Sequence, residues 1–120
     1  MPVITVGDKK IDAPADKRLV LAIEDSGLRI LHRCGGYAKC TTCRVQFIAG
    51  EPEKMTEAEK KRLKDDLQPL YGTIRLSCQI LCDHEMEVKP LMTMENSSVS
   101  DPGKRPEDLI TPEAVWTIKD

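Results

Sequence analysis

The stretch HRCGGYAKCTTC, residues 32–43, places Cys34, Cys40 and Cys43 within ten residues, with Gly35 and Gly36 directly behind the first thiol. Two further cysteines follow, Cys78 after a gap of thirty-four residues and Cys82 after three more. A disulfide, a zinc ion and an iron–sulfur cluster each account for crowded thiols, so the surroundings must separate them. Five cysteines leave one outside any complete pairing. The N-terminus, MPVITVGDKK, shows no basic start followed by an apolar stretch, so no leader peptide is expected. A reducing, cytoplasm-like compartment follows, and there clustered cysteines mark metal binding or catalysis more often than disulfides.

The rest of the composition narrows the classes. The chain has 120 residues, so one domain with an appendage is the expectation. Its aromatics are few: Tyr37, Phe47, Tyr71 and Trp116. A metal staple would add to a modest core. Basic and acidic residues number 18 and 20, for a net charge of −2. That balance argues against nucleic acid or an anionic membrane as the main partner. The longest apolar run, Leu19–Ile23, is far short of the ~20 residues of a membrane span.

Local patterns place the elements. Pro2–Val6 and Lys10–Ala13 are β-prone runs around Gly7-Asp8-Lys9 and read as a hairpin. Asp16 is placed to N-cap a helix carrying Leu19, Ala22 and Ile23, with Gly27 at its stop. Leu28–Leu31 leads into the cysteine loop. Arg44–Ala49 alternates polar with apolar as a strand does, and Gly50-Glu51-Pro52 ends it. Thr56 and Glu59 form a capping-box pattern before a helix reaching about Leu67. Arg75–Leu81 and Glu85–Pro90 read as two more strands around a turn at Cys82, Asp83 and His84. The order of elements predicts an α+β domain, a helix packed on a mixed sheet of four or five strands.

Plant-type [2Fe–2S] sites carry a clustered set of cysteines and a distant one, C-x4-C-x2-C…C. The spacing Cys34-x5-Cys40-x2-Cys43…Cys78 has that shape with one more residue in the first gap. Glycines behind Cys34 let the backbone wrap closely and aim N–H groups at sulfur, which steadies an anionic centre.

On these residues, with the HRCGG lead-in at 32–36 and RLSCQI at 75–80, the chain resembles the adrenodoxin-like group of [2Fe–2S] ferredoxins from Val3 to about Leu91. The resemblance implies a β-grasp fold, a [2Fe–2S] cluster and Cys34, Cys40, Cys43 and Cys78 as its ligands. It also implies one-electron transfer from a ferredoxin reductase to an acceptor, either a cytochrome P450 or iron–sulfur assembly machinery. A monomeric carrier is then expected, not an enzyme, because iron holds the electron and no acid, base or nucleophile is required. Family members that serve P450 systems commonly carry a strongly acidic helix. Here TEAEKKRLKDDL mixes both signs.

Structural zinc is the rival, using the short pairs Cys40-x2-Cys43 and Cys78-x3-Cys82. It leaves Cys34 and its glycines unexplained. A Rieske centre requires two histidines, and His32 and His84 do not stand with the cysteines in that pattern. Cys82, if on one strand with Cys78, shares its face and reads as a small buried hydrophobe or a substitute ligand. Tyr37, Arg33, Lys39 and Arg44 flank the loop. From Met92 the texture turns irregular, so residues 1–91 are read as the domain. Residues 92–120 are read as an extension, partly ordered or docked on it.

Overall fold

The computed structural model describes residues 2–7, 9–27, 30–31, 43–66, 74–93, 106–110 and 114–118. Strands β1 (Val3–Val6) and β2 (Lys9–Asp12) form the antiparallel hairpin, with Val6 opposite Lys9. Alternation decides its faces: Ile4 and Val6 are fully buried while β2 is largely exposed. Helix α1 (Leu19–Asp25) follows, then β3 (Arg44–Ala49), β4 (Lys54–Thr56) and α2 (Glu57–Asp66). The chain continues through β5 (Arg75–Leu76), a 3₁₀ turn at Ser77–Gln79, β6 (Met86–Pro90) and β7 (Trp116–Ile118).

Five strands make one mixed sheet in the order β2-β1-β6-β3-β5. Its centre is the parallel pair β1 and β6, with Ile4 opposite Met86 and Val6 opposite Val88. β3 runs antiparallel to β6 on the other side, with a register shift between Phe47 and Ala49 that leaves Ile48 as the extra residue. Leu19, Val20, Leu21, Ala22 and Ile23 of α1 are all buried. This apolar first part of the helix packs into the core against the sheet, while Glu24 and Asp25 at its end reach solvent. The architecture is the α+β mixed sheet expected from the order of elements, in the β-grasp form that the resemblance implies.

Three local expectations are corrected. Asp16 does not cap α1. Arg18 occupies the N-cap without a side-chain cap bond, and Leu19 N–H donates to Ile80 O at 2.7 Å instead. The helix start is thus set by a tertiary partner. Arg75–Leu81 is not one strand: pairing with β3 lasts two residues, and the chain then tightens into the 3₁₀ turn that carries Cys78. The same-face relation of Cys78 and Cys82 therefore does not arise. The capping box is half made. Glu59 N–H donates to Thr56 Oγ1, but the Glu59 carboxylate is committed elsewhere. Gly27 (φ 101°) does stand just past the end of α1, its N–H donating to Glu24 O. Leu67, Leu28, His32, Arg33, Gly35, Gly36, Tyr37 and Lys39 lie outside the described residues.

Beyond Met92, β7 pairs antiparallel with β4, matching Lys54 with Ile118 and Thr56 with Trp116. Glu57 N–H also donates to Val115 O at 2.8 Å. The Lys54 ammonium lies 4.9 Å above the Trp116 ring, within cation–π range.

Candidate metal centre

Cys43 ends the cysteine loop immediately before β3, and Cys78 is in the 3₁₀ turn immediately after β5. Because β3 and β5 are paired through Arg44 and Leu76, the two thiols are brought to the same end of the sheet. Ser77 binds them together: its N–H and its hydroxyl both donate to Cys43 O, at 3.1 and 2.7 Å. Both cysteines are buried, Cys43 at 2% and Cys78 at 0% exposure. None of the three described cysteines is in a disulfide. Cys34 and Cys40, the other two expected ligands, lie outside the described residues.

A relay of hydrogen bonds reaches the Cys78 sulfur from α2. Glu59 N–H donates to Thr56 Oγ1, Thr56 Oγ1 donates to Gln79 Oε1 at 2.6 Å, and Gln79 Nε2 donates to Cys78 Sγ at 3.5 Å. The Thr56 bond fixes which end of the Gln79 amide faces the sulfur. Such a donor favours a thiolate and stabilises added negative charge on it. Arg18 donates from Nε and Nη2 to Cys78 O, at 2.9 and 2.7 Å. Soft thiolates, dry surroundings and a donor aimed at sulfur are what an iron–sulfur centre requires of its protein. The residues present fit that group.

Cys82 is built for another task. Its N–H donates to Lys17 O at 2.9 Å, its side chain is fully buried in the core, and burial pushes its thiol up to about 12. Among the described residues, no three His, Cys, Asp or Glu side chains converge to hold a metal ion. Cys43, Cys78 and Cys82 therefore do not form three corners of a zinc site, which the rival reading needs. His84 is a surface stitch. Its Nε2 lies 2.6 Å from Gly50 O and its Nδ1 2.7 Å from Asp83 Oδ1.

Two buried arginines escaped the sequence reading. Arg75 forks onto Glu59, with Nε to Oε2 at 2.8 Å and Nη2 to Oε1 at 3.1 Å. It also donates to Pro52 O and Lys54 O, while Leu76 N–H joins Glu59 Oε2 at 2.8 Å. Burial pushes the Glu59 carboxyl up against the opposing pull of Arg75. This network anchors β5, and hence the turn bearing Cys78, to α2. Arg18 is the second. Arg18 has no local sequence signal, and Arg75 enters the sequence reading only as the first residue of RLSCQI.

Comparison with known proteins adds to this geometry. Residues 4–83 match the family model of the 2Fe-2S iron-sulfur cluster binding domain. Rhodocoxin of Rhodococcus erythropolis is 31% identical over 96 residues, covering 72% of this chain and 90% of that protein. One component of the Na(+)-translocating NADH-quinone reductase of a Marinomonas species is 28% identical over 83 residues; the match takes 69% of this chain but only 20% of that polypeptide. Among solved structures, the ISC-like [2Fe-2S] ferredoxin of Pseudomonas putida superposes with a TM-score of 0.60 over 82% of this chain and 100% of its own, at 19% identity. That likeness supports the fold alone. With the match over residues 4–83, the chain belongs to the family of 2Fe-2S iron–sulfur cluster binding domains: it is a ferredoxin domain built around a [2Fe–2S] cluster, and its chemistry is one-electron transfer.

Proposed function

We propose that Cys34, Cys40, Cys43 and Cys78 are the four cluster ligands, and that the chain carries electrons from a reductase to an acceptor protein. The observation that carries this reading is the Ser77 clasp, which holds the buried Cys43 and Cys78 segments side by side. The spacing Cys34-x5-Cys40-x2-Cys43 supplies the remaining pair. A bound [2Fe–2S] cluster supplies a site that takes up and releases one electron. The protein's own part is to hold the thiolates, keep water away through the packed α1 and sheet, and direct the Gln79 N–H at the Cys78 sulfur.

A reductase donor is supported by the NADH-quinone reductase component to which this domain is similar. The acceptor is of the class that the adrenodoxin-like resemblance implies, a cytochrome P450 or the iron–sulfur assembly machinery. All four ligands come from one chain, so a monomer suffices. The work needs no acid, base or nucleophile of the protein, which makes it a carrier and not an enzyme. A thiolate ligand set suits a reducing compartment such as the cytoplasm, and no described helix is long and apolar enough to cross a membrane. Residues 1–91 form the cluster domain on this reading, and 92–120 an extension laid against it through β7.

A serine series tests the assignment. Cys34→Ser, Cys40→Ser, Cys43→Ser and Cys78→Ser should each lose most bound iron and sulfide, while Cys82→Ser keeps two of each. A Cys34→Ser protein that stays folded, colourless and zinc-loaded would overturn it.

A further inference from the structure

Arg18 is fully buried, and its guanidinium joins two parts of the chain that are remote in sequence. Nε and Nη2 hold Cys78 O. Nη1 holds the carbonyls of Glu107 and Leu109, at 2.9 and 3.1 Å. Glu107, Asp108 and Leu109 turn their side chains outward, Leu109 with 78% exposure. Between the buried Pro106 and the half-buried Ile110, the segment thus turns backbone carbonyls, not apolar side chains, toward the domain.

Arg18 itself cannot drift from Cys78. Its neighbours are pinned to the chain after the 3₁₀ turn by Leu19 N–H to Ile80 O and Cys82 N–H to Lys17 O, and Arg18 pairs with Leu81 as an antiparallel bridge. The other partner of the guanidinium is the C-terminal segment, through the carbonyls of Glu107 and Leu109.

We propose that Arg18 is a positioning residue linking residues 106–110 to the cluster ligand Cys78, so that docking of that segment raises the cluster's reduction potential. This rests on Cys78 being a ligand. Reduction adds one negative charge to an already anionic centre, and a cation held dry beside a ligand carbonyl favours the reduced form. The carbonyls of Glu107 and Leu109 sit on the guanidinium. If they leave, water reaches it, the effective dielectric rises and the benefit shrinks. A partner that lifts the segment would thereby lower the potential of the carrier it binds.

The test uses full-length, cluster-loaded wild type, Arg18→Met and Arg18→Lys, each assayed for iron and sulfide. Potentials are measured by spectroelectrochemistry, and docking by the rate at which a glutamate-specific protease cuts after Glu107. Arg18→Met should lower the reduced-to-oxidised ratio about tenfold at a fixed solution potential, or about 59 mV for one electron, and should be cut several-fold faster. Arg18→Lys keeps the charge but loses the fork, so a smaller fall in the ratio should accompany faster cutting. If Arg18→Met fails to load, Arg18→Lys carries the test on both readouts. Full iron with an unshifted potential in Arg18→Met overturns the proposal, as does a shifted potential with unchanged cutting. Retention of two irons by Cys78→Ser would instead refute the ligand assignment beneath it.

Discussion

Cys78 and Cys82 stand a few positions apart in the chain, and the fold gives the two thiols opposite chemistry. Cys78 has a donor at its sulfur and a charged fork at its carbonyl. Cys82 is packed in the core; burial raises its thiol to about 12, Asp83 adding to the rise and Lys17 opposing it. An unfolded thiol loses its proton near ~8.5. Between that value and about 12 the folded protein keeps a proton that the unfolded chain has shed, so stability falls as pH rises through this window. Urea titrations of the loaded protein at pH 8 and pH 10 should show a loss of stability that Cys82→Ala reduces. An identical loss in the variant would contradict this. Below the window the group is protonated in both states and contributes no slope.

The elements hold the sheet through two devices, one at the end of β3 remote from Cys43 and one beside the turn that bears Cys78. At the end of β3, Gly50 adopts φ 78°, and a Cβ there would come 2.4 Å from Glu85 O. The backbone of the β3 end and that of the β6 lead-in are therefore too close for any side chain. Gly50→Ala should cost at least about 2 kcal/mol, since both a left-handed backbone and a backbone clash oppose it. A thermal melt within a degree of wild type would refute this. Between α2 and β5, Glu59 and Arg75 form a pair with side chains 0% and 1% exposed. Glu59→Gln leaves the Arg75 charge buried with a weakened partner, and should cost roughly 3–5 kcal/mol. Replacing both by methionine should recover a good part of that loss. Chemical denaturation of the three variants checks it; a double variant as weak as the single would show that the pair itself stabilises.

At the scale of the whole molecule, legibility followed the range of the forces. The β1–β2 hairpin, β3, α2 and β6 were readable because alternation, turn glycines and the Thr56 cap are local signals. The 3₁₀ turn at Ser77–Gln79 was not: RLSCQIL is as apolar as a strand, and only its clasp on Cys43 and Arg18 diverts it. The start of α1 was misplaced for the same reason, since Ile80, far along the chain, decides it. β7 pairs with a strand equally remote in sequence. Of the proposed site, the cysteine spacing is plain in the chain, whereas the Thr56–Gln79 relay and the Arg18 fork exist only once the fold has assembled them.

The central claim, that these thiols hold two irons and two sulfides for one-electron transfer, is tested most directly by a visible absorption spectrum of anaerobically purified full-length protein. Iron, acid-labile sulfide and zinc are assayed on the same sample. The expected result is sulfur-to-iron charge-transfer bands that bleach on dithionite, with two irons and two sulfides per chain. A colourless protein holding one zinc would contradict it.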